Sequence, residues 1–199
     1  MTQPDRSSFD ALIGALAEIF AGEGRPGGDQ AADALSAARR APYRRTFSQA
    51  DPHTVLRAAC ANQDAHSLAA SIWACRDLLD WTAWEGEGLA TDVSANLYTT
   101  ELVGPDGHCP AEAVRVGLLV SDADTDYPVS RHSGEETYFV VSGVAEWTVG
   151  GSPYSAQAPG RFIHHPAWIP HGRRTRAEPF LGAWRWSGDL DLSSFSVDD

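Results

Sequence analysis

The chain has 199 residues, of which 27 are acidic and 15 are basic, so its formal net charge at neutral pH is −12. This negative charge disfavours binding to nucleic acids and to anionic membrane surfaces, because both repel an acidic protein. All fifteen basic residues are arginines, which excludes chemistry that needs a lysine Schiff base or the lysine of a P-loop.

Targeting and redox signals are weak in this sequence. The first 24 residues lack a basic leader, and no stretch approaches the 18 apolar residues that a membrane helix needs. Three cysteines, none in a CxxC pair, argue against a disulfide scaffold. We therefore expect a cytoplasmic protein without a membrane association.

The N-terminal region, residues 1–90, has a helical pattern. Phe9, Leu12, Leu16 and Phe20 recur at the spacing of one helix face, between a capping Ser7 and a terminating glycine. Three further segments show weaker helical signals, and one of them opens with an Asp-Pro pair typical of a helix start. The predicted helices are 7–22, 29–41, 51–62 and 64–84.

The C-terminal region, residues 91–199, has a period near two, which is typical of strands. Val114, Val116, Leu118 and Val120 alternate along one segment, and similar short segments follow, separated by Gly, Pro and Ser. Short strands at this spacing predict a β-sandwich or barrel. We therefore expect a mainly β fold with a helical N-terminal region and no internal repeat.

The candidate site lies within residues 127–186. His132 precedes a predicted strand on which Glu136 and Tyr138, two residues apart, face the same way. His171 follows a proline-containing turn, and an adjacent strand would bring it close to His132 and Glu136. Two imidazoles and one carboxylate with open positions describe a catalytic divalent-metal site.

Two other clusters of polar residues are interpreted as solvent-exposed structural features rather than as sites. His108 and Glu112 fall in a segment rich in Gly, Pro and Asp, which predicts a solvated turn. Arg173, Arg174 and Arg176 form a small basic group in an acidic chain, which predicts a solvated strand end. His164 and His165 are adjacent and so face opposite ways on a strand, and whether one of them enters the barrel stays open.

Two spaced motifs connect these residues. The pattern H(x)3E(x)6G is met by His132, Glu136 and Gly143, and the pattern G(x)5P…H by Gly160, Pro166 and His171. Together they resemble the two conserved motifs of the cupin superfamily.

Three positions narrow the resemblance. Ser130 stands where the first cupin motif usually has another histidine, Trp168 replaces a glycine of the second motif, and Tyr138 follows the glutamate by two residues. With these features the chain resembles the cupin-type dimethylsulfoniopropionate (DMSP) lyases, particularly the short DddQ type, over most of its length. The resemblance implies a single cupin β-barrel (a double-stranded β-helix, or jelly roll) in residues 91–199.

The resemblance also implies an activity. Such enzymes cleave DMSP to dimethyl sulfide and acrylate by β-elimination, with one divalent transition metal, zinc, manganese or iron. His132, Glu136 and His171 would hold the metal, and Tyr138 would be the catalytic base. Tyr127 would be a second phenol in the pocket that positions the substrate or assists the base.

The implied substrate is a small zwitterion. Its sulfonium group suits aromatic faces, and the candidates are Tyr127 and Trp186, with Trp184 and Trp168 behind them.

Two alternatives stay open: another metal-dependent cupin enzyme, an oxygenase or isomerase acting on a small carboxylate, and a non-enzymatic cupin sensor whose helices bind a partner. The sequence does not determine the oligomeric state.

Overall fold

The computed structural model describes residues 6–45 and 50–198, and in these ranges it contains short helices and two β-sheets. The α-helices are α1 Ser7–Ala21, α2 Pro26–Ala38, α3 His53–Cys60, α4 Leu68–Ala74 and α5 Thr91–Ala95. Single 3-10 turns follow at Arg76–Leu78 and, near the C-terminus, at Leu192–Ser194.

Most of the strands come after residue 96. They are β1 Thr82–Ala83, β2 Leu97–Gly104, β3 Cys109–Pro110, β4 Val114–Ser121, β5 Asp126–Arg131, β6 Gly134–Ser142, β7 Ala145–Val149, β8 Ser155–Gln157, β9 Phe162–His165, β10 His171–Arg174, β11 Phe180–Gly188 and β12 Ser196–Val197.

The strands form two sheets. The larger has the order β1-β2-β4-β11-β6-β9, with β3 added to β2, and the smaller has the order β12-β5-β10-β7-β8. All pairs are antiparallel except the short pair of β2 with β3. The chain crosses from the smaller sheet to the larger one between β5 and β6, and the candidate site lies at this crossing.

The helices cover the outer face of the larger sheet. The apolar stripe of α1 is fully buried and belongs to the same core cluster as Val114, Val116, Leu118 and Val120 of β4. Each fully buried large apolar side chain contributes about 1.5–3 kcal/mol relative to an exposed one. Because helices and sheet share this core, β4 is buried on both of its faces. The division of the chain at residue 90 stays a prediction.

The first predicted helix is confirmed, and the second is displaced by about one turn. It begins at Pro26, because a proline suits the first turn of a helix, where its missing N–H costs nothing. Gly27 lies where α2 meets β11, and a Cβ there would come within 2.3 Å of the Arg185 guanidinium. The glycine therefore allows the helix to approach the sheet closely.

The predicted helix over residues 64–84 is wrong in its second half. The helix ends at Ala74, and Thr82 and Ala83 form a strand paired with β2. The apolar stripe is buried as expected, but the buried Asp80 forms an ion pair with the half-exposed Arg45, and Trp81 forms a bridge with Ala50. These tertiary contacts need an extended chain and override the helical pattern.

The predicted solvated turn at His108 is also wrong for the histidine itself. His108 is fully buried, donates from Nδ1 to the Arg44 carbonyl (2.9 Å) and accepts at Nε2 from the Asp80 amide (3.3 Å). It thus connects the segment after α2, the segment before β1 and the β2–β3 loop.

Among the described residues, no helix has the length and apolar character that crossing a membrane requires.

Candidate metal centre and active-site pocket

A pocket lies between the two sheets. It encloses about 620 Å³, including the part open to solvent. Its wall is mainly aromatic, and it carries a small polar set in which Glu136 is the one carboxylate and Arg173 the one arginine among the described lining residues. The lining side chains that the sequence predicted for a site are Tyr127, His132, Glu136, Tyr138, His171, Trp184 and Trp186.

Three side chains converge at one end of this pocket. His132 lies in the turn between β5 and β6, Glu136 lies on β6, and His171 opens β10, where it pairs with Ser130 of β5. That pairing places the His171 ring beside the turn that carries His132. Glu136 Oε2 is 3.3 Å from His132 Nε2 and 3.6 Å from His171 Nε2, and all three residues are buried.

Hydrogen bonds orient both imidazoles toward the carboxylate. His132 Nδ1 donates to the Gly134 carbonyl (3.0 Å), and His171 Nδ1 donates to the Ile169 carbonyl (2.9 Å). Each Nε2 therefore faces Glu136 and, in the neutral ring, carries the lone pair that a metal would use. Burial lowers the pKa of His171 to about 3, so this imidazole stays in the neutral form that ligates metals.

Glu136 is held by two further side chains. Its Oε1 accepts from Trp186 Nε1 (2.8 Å), and its Oε2 accepts from His165 Nδ1 (3.1 Å). Burial alone would raise the pKa of Glu136, but the hydrogen bonds and charges of His132 and His165 hold this pKa well below its usual range. Trp186 also stacks on the His132 ring at 4.0 Å. Such outer contacts fix the orientation of metal ligands in proteins.

These three residues fit a divalent transition metal. One potential ligand atom from each of His132, Glu136 and His171 lies within 4.8 Å of the other two, and the cluster faces an open pocket. Two imidazoles and one carboxylate that leave coordination positions free match catalytic rather than structural metal sites. The cluster can therefore hold a metal and a small ligand together.

Tyr138 also lines the pocket. It is two residues after Glu136 on β6, so both side chains face the pocket, as the period of a strand requires. Burial and the negative charge of Glu136 raise the pKa of Tyr138 well above its usual value, whereas the charge of Arg173 acts in the opposite direction. The phenol needs a nearby positive charge before it can lose its proton at neutral pH.

Tyr127 and Trp184 belong to the pocket wall, and Trp168 does not. The Tyr127 hydroxyl on β5 accepts from Trp84 Nε1 (3.2 Å), and burial raises the pKa of Tyr127 to about 12. Trp184 lies on β11 and faces the pocket. Trp168, expected behind the substrate contacts, is instead 54% exposed and does not line the pocket. Trp168 lies in the turn between β9 and β10 and has a positive φ of 63°.

The two adjacent histidines face opposite ways, as predicted. His165 is fully buried, contacts Glu136 and stacks on the His171 ring at 4.0 Å. His164 faces the outer side of the sheet and hydrogen-bonds Thr137 at 3.1 Å. His165 therefore supports the candidate metal ligands.

Sequence reasoning missed Arg173 and Trp84. Arg173 was expected at a solvated strand end, but it is only 4% exposed and lines the pocket. It follows His171 by two residues on β10, so the same period that paired Glu136 with Tyr138 could have placed it inward. Trp84 was expected on a helix, and no local signal could have placed it in the pocket, because its position depends on the pairing of β1 with β2.

Comparisons with known proteins agree with this architecture. The chain is 28% identical over 197 residues to dimethylsulfoniopropionate lyase DddQ of Ruegeria pomeroyi, covering 97% of this chain and 95% of that protein. The crystal structure of the DMSP lyase DddQ from Ruegeria pomeroyi DSS-3 matches with a TM-score of 0.74 and 22% identity, covering 98% and 97% of the two chains.

A second solved structure is similar. A chain from the crystal structures of the DMSP lyases RdDddP and RnDddQII matches with a TM-score of 0.73 and 23% identity, covering 98% of this chain and 99% of that one. The predicted mainly β fold with a helical N-terminal region is thereby confirmed. The sequence profile of the dimethylsulfoniopropionate lyases matches residues 30–182, and the chain belongs to the dimethylsulfoniopropionate lyase family.

Proposed function

We propose that this protein is a metal-dependent lyase that cleaves DMSP by β-elimination to dimethyl sulfide and acrylate. The observation that carries the proposal is the buried cluster of His132, Glu136 and His171 in a pocket that also presents the phenol of Tyr138. Membership of the DMSP lyase family supplies the reaction class and the small zwitterionic substrate.

The reaction begins with a poorly acidic proton. The carbon next to a carboxylate loses a proton only when the negative charge that develops is stabilised. A divalent zinc, manganese or iron ion bound by His132, Glu136 and His171 would supply Lewis-acid stabilisation of that charge. The aromatic wall excludes water from the reacting atoms and strengthens these electrostatic interactions.

Tyr138 is the proposed base. Its phenolate oxygen takes the proton from the carbon next to the carboxylate, a carbon–carbon double bond forms, and the carbon–sulfur bond breaks. The bonding pair leaves with sulfur as neutral dimethyl sulfide, so the reaction needs no strong acid. Arg173 supports the phenolate with its positive charge, and Glu136 opposes it until its own charge is compensated.

Two aromatic side chains are proposed as substrate contacts. Tyr127 and Trp186 line the pocket, and aromatic faces attract a sulfonium group. Trp186 has a second task, because its indole N–H holds Glu136. Trp184 completes the wall behind them.

The experiment that tests the function is headspace gas chromatography of the purified protein mixed with DMSP. The protein is loaded with manganese, iron or zinc in separate samples, and a chelator-treated sample is the control. We expect dimethyl sulfide with one equivalent of acrylate from at least one metal-loaded sample and neither product after chelation. A metal-replete protein that releases no dimethyl sulfide would refute the proposal.

A further inference from the structure

Arg173 is a buried cation in the pocket. The residue is 96% buried, and its Nη2 has no hydrogen-bonding partner among the described residues. Its guanidinium carbon lies 5.3 Å from the Trp147 ring centroid, 5.6 Å from that of Tyr127 and 4.8 Å from that of Phe180. A buried charge with an unused donor is costly unless a partner of opposite charge arrives.

The neighbouring arginines show that this situation is particular to Arg173. Arg174 faces the other side of β10 and pairs with Glu146 at 2.5 Å, and Arg176 pairs with Asp126 at 3.0 Å. No ion pair joins Arg173 to a carboxylate of the described residues. The aromatic faces around it stabilise the charge in part but accept no in-plane hydrogen bond from the guanidinium.

Arg173 lies beside Tyr138, next to the candidate metal centre. Glu136 Oε2 is 3.6 Å from His171 Nε2, and two residues further along the same strands the Arg173 guanidinium carbon is 5.9 Å from the Tyr138 ring centroid. The fully buried Phe180 packs against Arg173, with its ring centroid 4.8 Å from the guanidinium carbon. A small ligand that touches the metal centre and extends inward therefore meets the guanidinium next.

We propose that Arg173 binds the carboxylate of the substrate. This contact selects for an acidic ligand and sets the orientation of that ligand in the pocket. The inference deepens the proposed function and rests on it for the identity of the substrate. A planar guanidinium matches a carboxylate with paired hydrogen bonds, and burial strengthens each of them. Its positive charge repels a sulfonium group.

The orientation follows from that repulsion. The carboxylate lies between the metal centre and Arg173, and the sulfonium end points away from Arg173, toward Trp186 and the hydroxyl end of Tyr127, which contacts Trp84. On that side Trp84 and Leu192 are partly exposed lining residues of the pocket, and the buried Phe195 packs edge-on against Trp84 at 5.7 Å. These groups carry no charge, so a methylated cation fits there.

The test measures binding of an unreactive carboxylate by isothermal titration calorimetry. Propionate is the ligand, propionamide is its uncharged counterpart, and each is titrated into manganese-loaded and chelator-treated protein. The variant is Arg173→Met, which keeps the length of the side chain and removes the charge. The matched control is Arg174→Met, whose side chain faces away from the pocket.

We expect Arg173→Met to weaken propionate binding about 10- to 100-fold in both metal states, as the loss of a charged hydrogen-bonding pair predicts. Propionamide binding should be unchanged, and Arg174→Met should bind propionate like the wild type. Arg173→Lys should fall between the wild type and Arg173→Met, because lysine keeps the charge but not the paired geometry. Unchanged propionate binding by Arg173→Met would refute the inference.

Two further results keep the test decisive. If Arg173→Met does not fold, chelator-treated wild type must still prefer propionate to propionamide, and equal binding would refute the inference. Release of dimethyl sulfide from DMSP is measured in parallel. Arg173-dependent propionate binding without dimethyl sulfide release would refute the lyase proposal alone, and release with Arg173-independent binding would refute the anion site alone.

Discussion

At the scale of single residues, the pKa values of two neighbours on one buried strand are shifted in opposite directions. Glu136 receives hydrogen bonds from Trp186 and His165, and its pKa falls although it is buried. Tyr138, two residues along β6, is buried beside that carboxylate, and its pKa rises. A nearby cation is therefore needed to stabilise the phenolate form of Tyr138, and Arg173 is one such cation on the chain itself.

The proposed base gives the first prediction at this scale. Tyr138→Phe removes one oxygen and leaves the ring in place, so metal content and propionate affinity should stay unchanged. The rate of dimethyl sulfide release should fall at least about 100-fold, the range expected for loss of a general base. Gas chromatography of DMSP turnover and metal analysis of the same preparations check both parts.

A matched variant controls for the loss of a phenol elsewhere. Tyr154 lies outside the pocket, against the Arg174 side chain, so Tyr154→Phe should turn over like the wild type. Turnover by Tyr138→Phe at the wild-type rate would show that another group removes the proton.

At the scale of elements, the turn between β9 and β10 connects two parts of the site. Trp168 in this turn has φ 63°, a left-handed conformation that glycine adopts without cost. Its backbone N–H donates to the His132 carbonyl at 2.8 Å, and its side chain is mostly exposed. The turn therefore ties the His132 loop to β10 through the backbone, and the indole adds little packing.

Replacing this residue separates backbone strain from packing. Trp168→Gly should raise the free energy of unfolding by about 1 kcal/mol, because it relieves a left-handed conformation. Trp168→Ala keeps the Cβ and should give no such gain. Urea unfolding of the two variants and the wild type at one pH measures the difference. Equal stability of the glycine and alanine variants would mean that strain at this position is negligible.

At the scale of the whole molecule, buried polar groups join the helical region to the sheets. Arg185 of β11 is fully buried and pairs with Glu23, between α1 and α2, through Nη2 at 2.5 Å. His108, beside β3, joins Arg44 and Asp80 by hydrogen bonds. Losing one partner of such a buried set leaves the other unsatisfied, so the helices and the sheets should unfold together.

His108 makes this junction sensitive to acid. Burial lowers the pKa of His108 below its ordinary value of 6.5, against the charge of Asp80 and with those of Arg44 and Arg45. As the pH falls below 6.5, the His108 imidazole therefore binds a proton in the unfolded chain but stays neutral in the folded chain. The contribution to stability is complete above pH 6.5 and is lost as the pH falls toward the lower, folded-state pKa.

The acid prediction is tested by replacing the histidine. His108→Gln should be less stable than the wild type at pH 7.5, and the difference should shrink at pH 5, where only the wild type loses stability through His108. The control is the exposed His53→Gln on α3, which removes an imidazole without touching the His108 junction. Urea unfolding at the two pH values provides the data, and a pH-independent difference for His108→Gln would contradict the prediction.

The sequence by itself determined the features that depend on local spacing. The first helix follows from its apolar stripe, the strands β4, β6 and β11 follow from their alternation, and the inward direction of Tyr138 follows from its distance of two residues from Glu136. The motifs also brought His132, Glu136 and His171 together, because each motif contains the turn that presents its ligands.

Tertiary structure decided the features that depend on partners distant in the sequence. The segment around Trp81 has a helical pattern but is extended, because Asp80 forms an ion pair with Arg45 and β1 pairs with β2. Trp84 enters the pocket only through that pairing. Arg173 looked like a surface charge because its neighbours are surface charges, and its burial became visible only when the two sheets closed around it. Local spacing fixes which face a side chain takes, whereas the fold decides whether that face meets water, the core or the pocket.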